Sequence, residues 1–210
     1  YGVIGQKWGI RKEVDRNSGR KAIDYQKEGF VIKKGSELHR ISTTANEIHK
    51  GSGYASFLKE DADFYNSMGK TFSRVGMKHY DMTFKANKDL ISPTKKERVD
   101  IFLKKMENKN FAGELKRQRS RMFIMNLTTP GDIQMSKEYN LSLKQAKQYR
   151  LLNLAISGNK NLRSQYLDEF KKLSYDFMLD EADSMNKQST APIIFLERSD
   201  SLSVINVQDL

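Results

Sequence analysis

Three groups of residues in this chain have types and spacings that could do chemistry. The first lies between Gly35 and Met68, GSELHRISTTANEIHKGSGYASFLKEDADFYNSM. It holds Arg40 with its neighbour His39, then Tyr54 and Ser56, then Phe64, Tyr65 and Met68. An arginine offers a planar fork of donors that grips a phosphate, and aromatic rings stack on a flat heterocycle. The second group is the acidic run Asp180, Glu181 and Asp183. A carboxylate there could stabilise the oxocarbenium-like species formed when a glycosidic bond breaks. The third is the cationic run Lys116, Arg117, Arg119 and Arg121, a candidate contact for nucleic-acid phosphates. Each group also has a plain structural reading: a surface ion pair, core aromatics, a loop cap, a solvated helix face.

The elements that must position these groups follow from periodicity. FVIKKGSELHRIS reads as an extended pair around a KKGS turn. Side chains alternate along a strand, so Leu38 and Arg40 fall on one side and His39 on the other. The two cannot face one pocket. GSGYAS is a turn leading into a short strand, and LKEDADFYNSM is a helix with acidic residues at its start. KHYDMTFKANKDL alternates cleanly, with Tyr80, Met82 and Phe84 on one face and Asp81, Thr83 and Lys85 on the other. Ser92 as N-cap and Pro93 at N1 predict a helix carrying Val99, Phe102, Leu103 and Met106. Further helices are predicted over 111–127, 141–157 and 161–173, the last two separated by Gly158 and Asn159. Extended segments return at YDFMLDEAD, at APIIFLE with Pro192 at its start, and at SLSVIN. Residues 13–29 read as a weak helix ending at Gly29, a C′ position.

The expected fold is therefore α+β. An irregular N-terminal arm with a short helix spans 1–29, and one domain spans 30–210 with a helical insertion over about 92–173. Three glycines within residues 1–12 argue against a helix there, and Trp8 is the natural anchor of that arm to a partner or to its own domain.

Composition narrows the partners. The 210 residues include 37 Lys and Arg against 26 Asp and Glu, a formal charge of +11, and the pI is near 9.6. Such an excess favours polyanions. With no cysteine and three histidines lacking ligand spacing, neither disulfides nor a metal site is expected. No apolar run approaches the roughly 18–20 residues that span a bilayer, and no signal-peptide core is visible. A first residue Tyr1 rather than methionine is what a fragment or a processed chain would show.

Two resemblances add to this. The segment YGVIGQKWGIR is similar to the HG-x-x-G-[MQ]-KWG-[VI]-R motif of phage and prophage proteins linked to portal, minor capsid and head-associated roles. Gly2, Gly5, Gln6, Lys7, Trp8, Gly9, Ile10 and Arg11 match, with Tyr1 where the motif has histidine. The larger resemblance is to ADP-ribosyltransferase-like proteins encoded by phages. It rests on short islands: Gly35–Arg40, Tyr54–Ser56, Asp61–Tyr65, Tyr175–Asp183 and Pro192–Leu196.

These resemblances imply an ADP-ribosyltransferase-like split β-sheet and NAD as substrate. Arg40 would hold NAD phosphate or ribose, Ser56 would brace its strand, and Tyr54 and Tyr65 would flank the nicotinamide. Glu181, or else Asp180 or Asp183, would bond the ribose and stabilise the cation. His39 opens a variant in which a histidine and two tyrosines do the holding. The family's E-x-E or Q-x-E pair is absent, and YASF replaces the fuller S-T-S strand. The implied setting is a virion, head or head-associated, with host bacterial cytoplasm after synthesis or delivery. The partners would be head or portal proteins, packaged DNA and a host protein that receives ADP-ribose. The alternative is a non-catalytic minor capsid or inner-head protein acting through its basic surface.

Overall fold

The structure is a computed structural model that describes Gly29, residues 31–42, 52–56, Lys59, Ala62, and residues 78–121, 127–181 and 192–209. The chain forms two compact units. One is built on β-sheet and draws on both parts of the chain flanking the other, which is helical and runs Thr94–Leu173. Mixed helix and sheet make this an α+β protein. No helix among the described residues is long and apolar enough to cross a membrane.

The sheet unit contains β1 (Val31–Ile32), β2 (Glu37–Ser42), β3 (Gly53–Ser56), β4 (Tyr80–Ala86), β5 (Leu90–Ile91), β6 (Phe177–Leu179), β7 (Pro192–Phe195) and β8 (Leu202–Asp209). Six of them form one antiparallel sheet in the order β6-β7-β3-β2-β4-β8, while β1 and β5 form a separate antiparallel ribbon. The expected pairing of the two segments around KKGS does not occur. The turn itself does: the Ser36 N–H donates to the Lys33 carbonyl at 3.0 Å. Gly35 sits at φ +88°, the third-position geometry of a type II turn that glycine adopts without strain. Beyond the turn the chain diverges, β1 to β5 and β2 to β3 and β4, because β2 gains partners on both edges only by leaving β1.

Register decides which side chains share a face. β2 and β4 pair from Glu37↔Lys85 to Ser42↔Tyr80. Leu38, Met82, Phe84 and Ala86 point inward and are buried with Ala55, Phe177, Leu179, Ile193, Phe195 and Leu202. Ile32 and Leu90 join this cluster from the ribbon. Truncating a fully buried ring such as Phe84 to alanine typically costs about 3–5 kcal/mol. The alternation read in residues 80–85 thus places Met82 and Phe84 in the core. Pro192 opens β7, where its missing N–H does least harm to the ladder. Ile205 is the extra residue of a bulge, since Thr83 pairs with Asn206 but Phe84 with Val204. Asp176 ties the start of β6 to the ribbon: its N–H donates to the Ile91 carbonyl at 2.9 Å, and its Oδ2 accepts from the Ile91 N–H at 3.0 Å.

The helical unit comprises α1 (Lys95–Met106), α2 (Lys109–Arg121), α3 (Pro130–Glu138), α4 (Leu143–Gly158) and α5 (Lys160–Lys172). A one-turn α6 (Arg198–Ser201) belongs to the sheet unit. The N-cap of α1 is Thr94 rather than Ser92. Thr94 has Glu97 three residues on, and the two close a capping box that Ser92 cannot form with Lys95. Asn159 both ends α4 and caps α5, accepting from the Leu162 N–H at 3.0 Å. Phe102 meets Tyr149 edge-on at 5.4 Å, and the Tyr166 hydroxyl donates to the Arg98 carbonyl at 2.9 Å.

The helix α3 falls where the sequence patterns singled out none. Thr129 caps it, Pro130 opens it and Asp132 completes a second capping box. Asp132 also accepts a two-pronged bond from Arg150 of α4, Nε to Oδ1 at 2.9 Å and a terminal nitrogen to Oδ2 at 3.1 Å. Burial alone pushes the Asp132 carboxyl up. The Thr129 N–H, Arg150 and the Thr129 hydroxyl together outweigh it and hold the group below its ordinary value of 3.8. A carboxyl held down by folding stabilises the fold fully above that ordinary value, and the contribution is lost as pH falls through the folded value. Arg150→Ala strands a buried carboxylate, so it should cost about 3–5 kcal/mol at pH 7. In chemical denaturation the gap between wild type and variant should narrow as pH is lowered towards 3.

Candidate functional site

The face of the six-stranded sheet opposite the core carries His39, Tyr54, Ser56, Asp81 and Thr83, with Ile41 and the fully buried Ile194 and Met178 among them. His39 pairs with Ser56 on β3 and with Thr83 on β4, and Thr83 pairs with Asn206 on β8. Paired residues of an antiparallel ladder share a face, so Ser56, His39, Thr83 and Asn206 form one row across four strands. The next row holds Ile194, Tyr54, Ile41, Asp81 and Gln208, since Tyr54 pairs with Ile194 and Asp81 with Ile41 and Gln208. Adjacent strands lie about 4.8 Å apart, so Ser56 and Thr83 flank His39 at roughly 5 Å.

These groups are sheltered. Ser56 and Asp81 are 4% and 5% exposed. His39 and Tyr54 are half-buried, and their polar tips, His39 Nδ1 and the Tyr54 hydroxyl oxygen, are shut off from water. Lys59, in helical conformation, places its Nζ 3.0 Å from Asp81 Oδ2. A buried carboxylate needs such a partner, and Lys59 remains half-exposed to supply the charge at low desolvation cost.

The register separates residues that the sequence groups together. Arg40 pairs with Met82 and lies beside Ala55, on the core face. Tyr54 and Ser56 lie on the opposite face, so Arg40 cannot share a pocket with them across the body of the strands. The physical reason is the period of two: once Leu38 and Met82 are inside, Arg40 follows them and His39 goes the other way. The set brought together is His39, Tyr54 and Ser56, with Asp81, Thr83 and Lys59 added. Alternation puts Asp81 and Thr83 on the outward face as a polar strand edge would have them, but nothing local signals that Asp81 is buried or that Lys59 reaches it.

The acids stand at the other end of the row. Leu179 is paired with Ile193 on β7 and Ile193 with Ala55 on β3. Asp180, the next residue, therefore comes level with Pro192 and Ser56, roughly 10 Å or two strand spacings from the serine. Asp180 and Glu181 are each 6% exposed. Trp8, Tyr65 and Asp183 lie outside the described residues, as does the arm over 1–12. Of the cationic run on α2, Lys116 and Arg117 are exposed, and Arg117 is bonded to Glu114, its Nε reaching Oε2 at 3.1 Å. The side chains of Arg119 and Arg121 are outside the described set.

The polar face can thus present an imidazole beside a hydroxyl, an aromatic ring one row away and a carboxylate beyond them. Such a row can hold a sugar ring and stack a flat heterocycle, with acid–base groups at hand. Compared with protein-family models, curated proteins and solved structures, the chain matches none.

A double-mutant cycle tests the shared face. His39→Ala and Ser56→Ala should couple by about 0.2–1 kcal/mol in unfolding free energy. Arg40→Ala and Ser56→Ala, on opposite faces, should add to within about 0.3–0.5 kcal/mol.

Proposed function

We propose that this chain is a phage virion-associated protein whose sheet unit is an ADP-ribosyltransferase-like domain. It takes NAD on the polar face of the sheet and transfers ADP-ribose to a host protein. The observation that carries the reading is the cross-strand pair His39↔Ser56, with Tyr54 on the same face and Asp180 in line with it. These residues lie in three of the five islands of the resemblance, and the folded chain brings them onto one sheet although well over a hundred residues separate the first from the last. The phage setting rests on the KWG arm.

Within this reading His39 takes the holding role that the resemblance implies for Arg40. The imidazole bonds the ribose hydroxyls, the Tyr54 ring stacks against the nicotinamide, and Ser56 braces β3 beside them. The bond between ribose C1′ and the nicotinamide nitrogen breaks, and nicotinamide leaves as a neutral molecule with the bonding electrons. The carboxylate of Glu181 or Asp180 stabilises the positive charge left on the ribose. A nucleophile of the host protein then attacks C1′ and releases its proton. The sheltering of His39 and Tyr54 strengthens each polar contact by excluding water.

The burial of both acids favours a second reading, a domain that has kept the arrangement but not the chemistry and serves in the head as a minor capsid component contacting portal or capsid. One assay separates the two. Nicotinamide release from NAD, measured with and without host lysate, should be catalysed by the wild type. His39→Ala and Glu181→Gln should lower it by about 10²-fold or more. No release by the wild type in either condition, together with copurification with intact particles, would establish the second reading instead.

A further inference from the structure

The chain's positive charge is not spread evenly. Thr94–Leu173 holds 18 Lys and Arg against 8 Asp and Glu, a formal +10, and the rest of the chain holds 19 against 18. Nearly all of the +11 therefore belongs to the helical unit.

Five of that unit's eight acids are bonded to named partners. Glu97 and Asp132 close capping boxes. Glu114 accepts from Arg117, Gln118 and Asn159. Glu169 accepts from Lys105 and Lys172, and Asp100 pairs with Lys96. Each ion pair neutralises its cation as well, so the outward field comes from the surplus of cations over acids.

Helix α2 shows how the field is presented. Phe111, Leu115 and Gln118 are its buried side. At 100° per residue, Lys109 and Lys116 lie on the opposite line, two turns or about 10 Å apart. Both are exposed. Between them Gly113 has open space where a side chain would be, so nothing bulky stands between the two ammonium groups. The start of α5 meets α2 on another flank, at Glu114, to which Asn159 donates at 2.8 Å, so the lysine line stays clear of it.

We propose that the helical unit is a sequence-independent contact surface for the phosphate backbone of a nucleic-acid duplex, centred on Lys109 and Lys116 of α2. The choice of partner follows from what α2 lacks. A helix that binds a membrane surface pairs its cations with a large apolar face available for insertion. The described apolar side chains of α2, Phe111 and Leu115 among them, are buried, and among the described residues of this unit the exposed large apolar ones, Leu127, Ile133, Leu143 and Leu173, are all off α2. Cations without an apolar anchor suit a polyelectrolyte, whose binding is driven by counterion release. The lysine surface is independent of NAD chemistry at the sheet.

The test is salt-dependent binding of the full chain to a fluorescent duplex DNA, with duplex RNA of equal length and anionic phosphatidylserine vesicles as parallel arms. The wild type should bind the duplexes with a steep fall in affinity as salt rises. The double variant Lys109→Gln, Lys116→Gln should lower the slope of log affinity against log salt by about 2, since each phosphate no longer neutralised removes about 0.9. A control pair in the sheet unit, Lys34→Gln, Lys85→Gln, should leave the slope unchanged; all four lysines are exposed, so the fold should tolerate both sets. No duplex binding at low salt, an equal drop in slope in both double variants, or vesicle binding that matches the duplexes would each overturn the proposal.

Discussion

Everything at the polar face depends on one constraint, the two-residue alternation of β2 between partners on both sides. β3 and β4 hold its register through His39↔Ser56 and the six pairs from Glu37↔Lys85 to Ser42↔Tyr80. A slip of one residue would exchange the faces, sending Arg40 to the polar side and Leu38 with it. The apolar side forbids this. Leu38, Met82 and Phe84 are almost fully buried, and exposing them would cost several kcal/mol. Core packing therefore selects which titratable residue meets Ser56, and it selects the histidine.

The two units divide physical roles. The sheet unit is nearly neutral and places a few sheltered polar groups in rows of fixed spacing, which suits a small ligand whose atoms must be met one by one. The helical unit stabilises itself with capping boxes and the Asp132–Arg150 fork, and turns a surplus of lysines outward, which suits a partner recognised by charge density. Buried, two-pronged pairs such as Asp132–Arg150 fix geometry, whereas exposed pairs such as Lys96–Asp100 contribute little. In the proposed roles, specificity resides at the sheet and adhesion at the helices.

Much of this was legible in the sequence wherever the signal was local. The alternation of residues 80–85, the stops at Gly158 and Asn159, and the position of Pro192 each follow from a short-range rule. Helix α3 is short and carries a glycine, Gly131, in its first turn, although Thr129, Pro130 and Asp132 spell a capping box. The cap of α1 moved from Ser92 to Thr94 because only Thr94 has a glutamate at the third position. Pairing is non-local and was not legible: nothing near Val31 indicates that it will join Ile91 rather than β2. The same holds for the site. That His39 and Arg40 must part was plain from alternation, but which of them joins Tyr54 and Ser56 required the register.

The claim that matters most is that the polar face, and not the core face, takes the nicotinamide nucleotide. Backbone amide chemical shifts of the labelled full chain, followed as NAD is added, address it directly. Saturable shifts centred on His39, Tyr54, Ser56 and Asp180 are predicted, with Leu38 and Phe84 among the least affected. Saturation with no shifts at those four positions, or shifts centred on the residues around Arg40 and Met82, would contradict it.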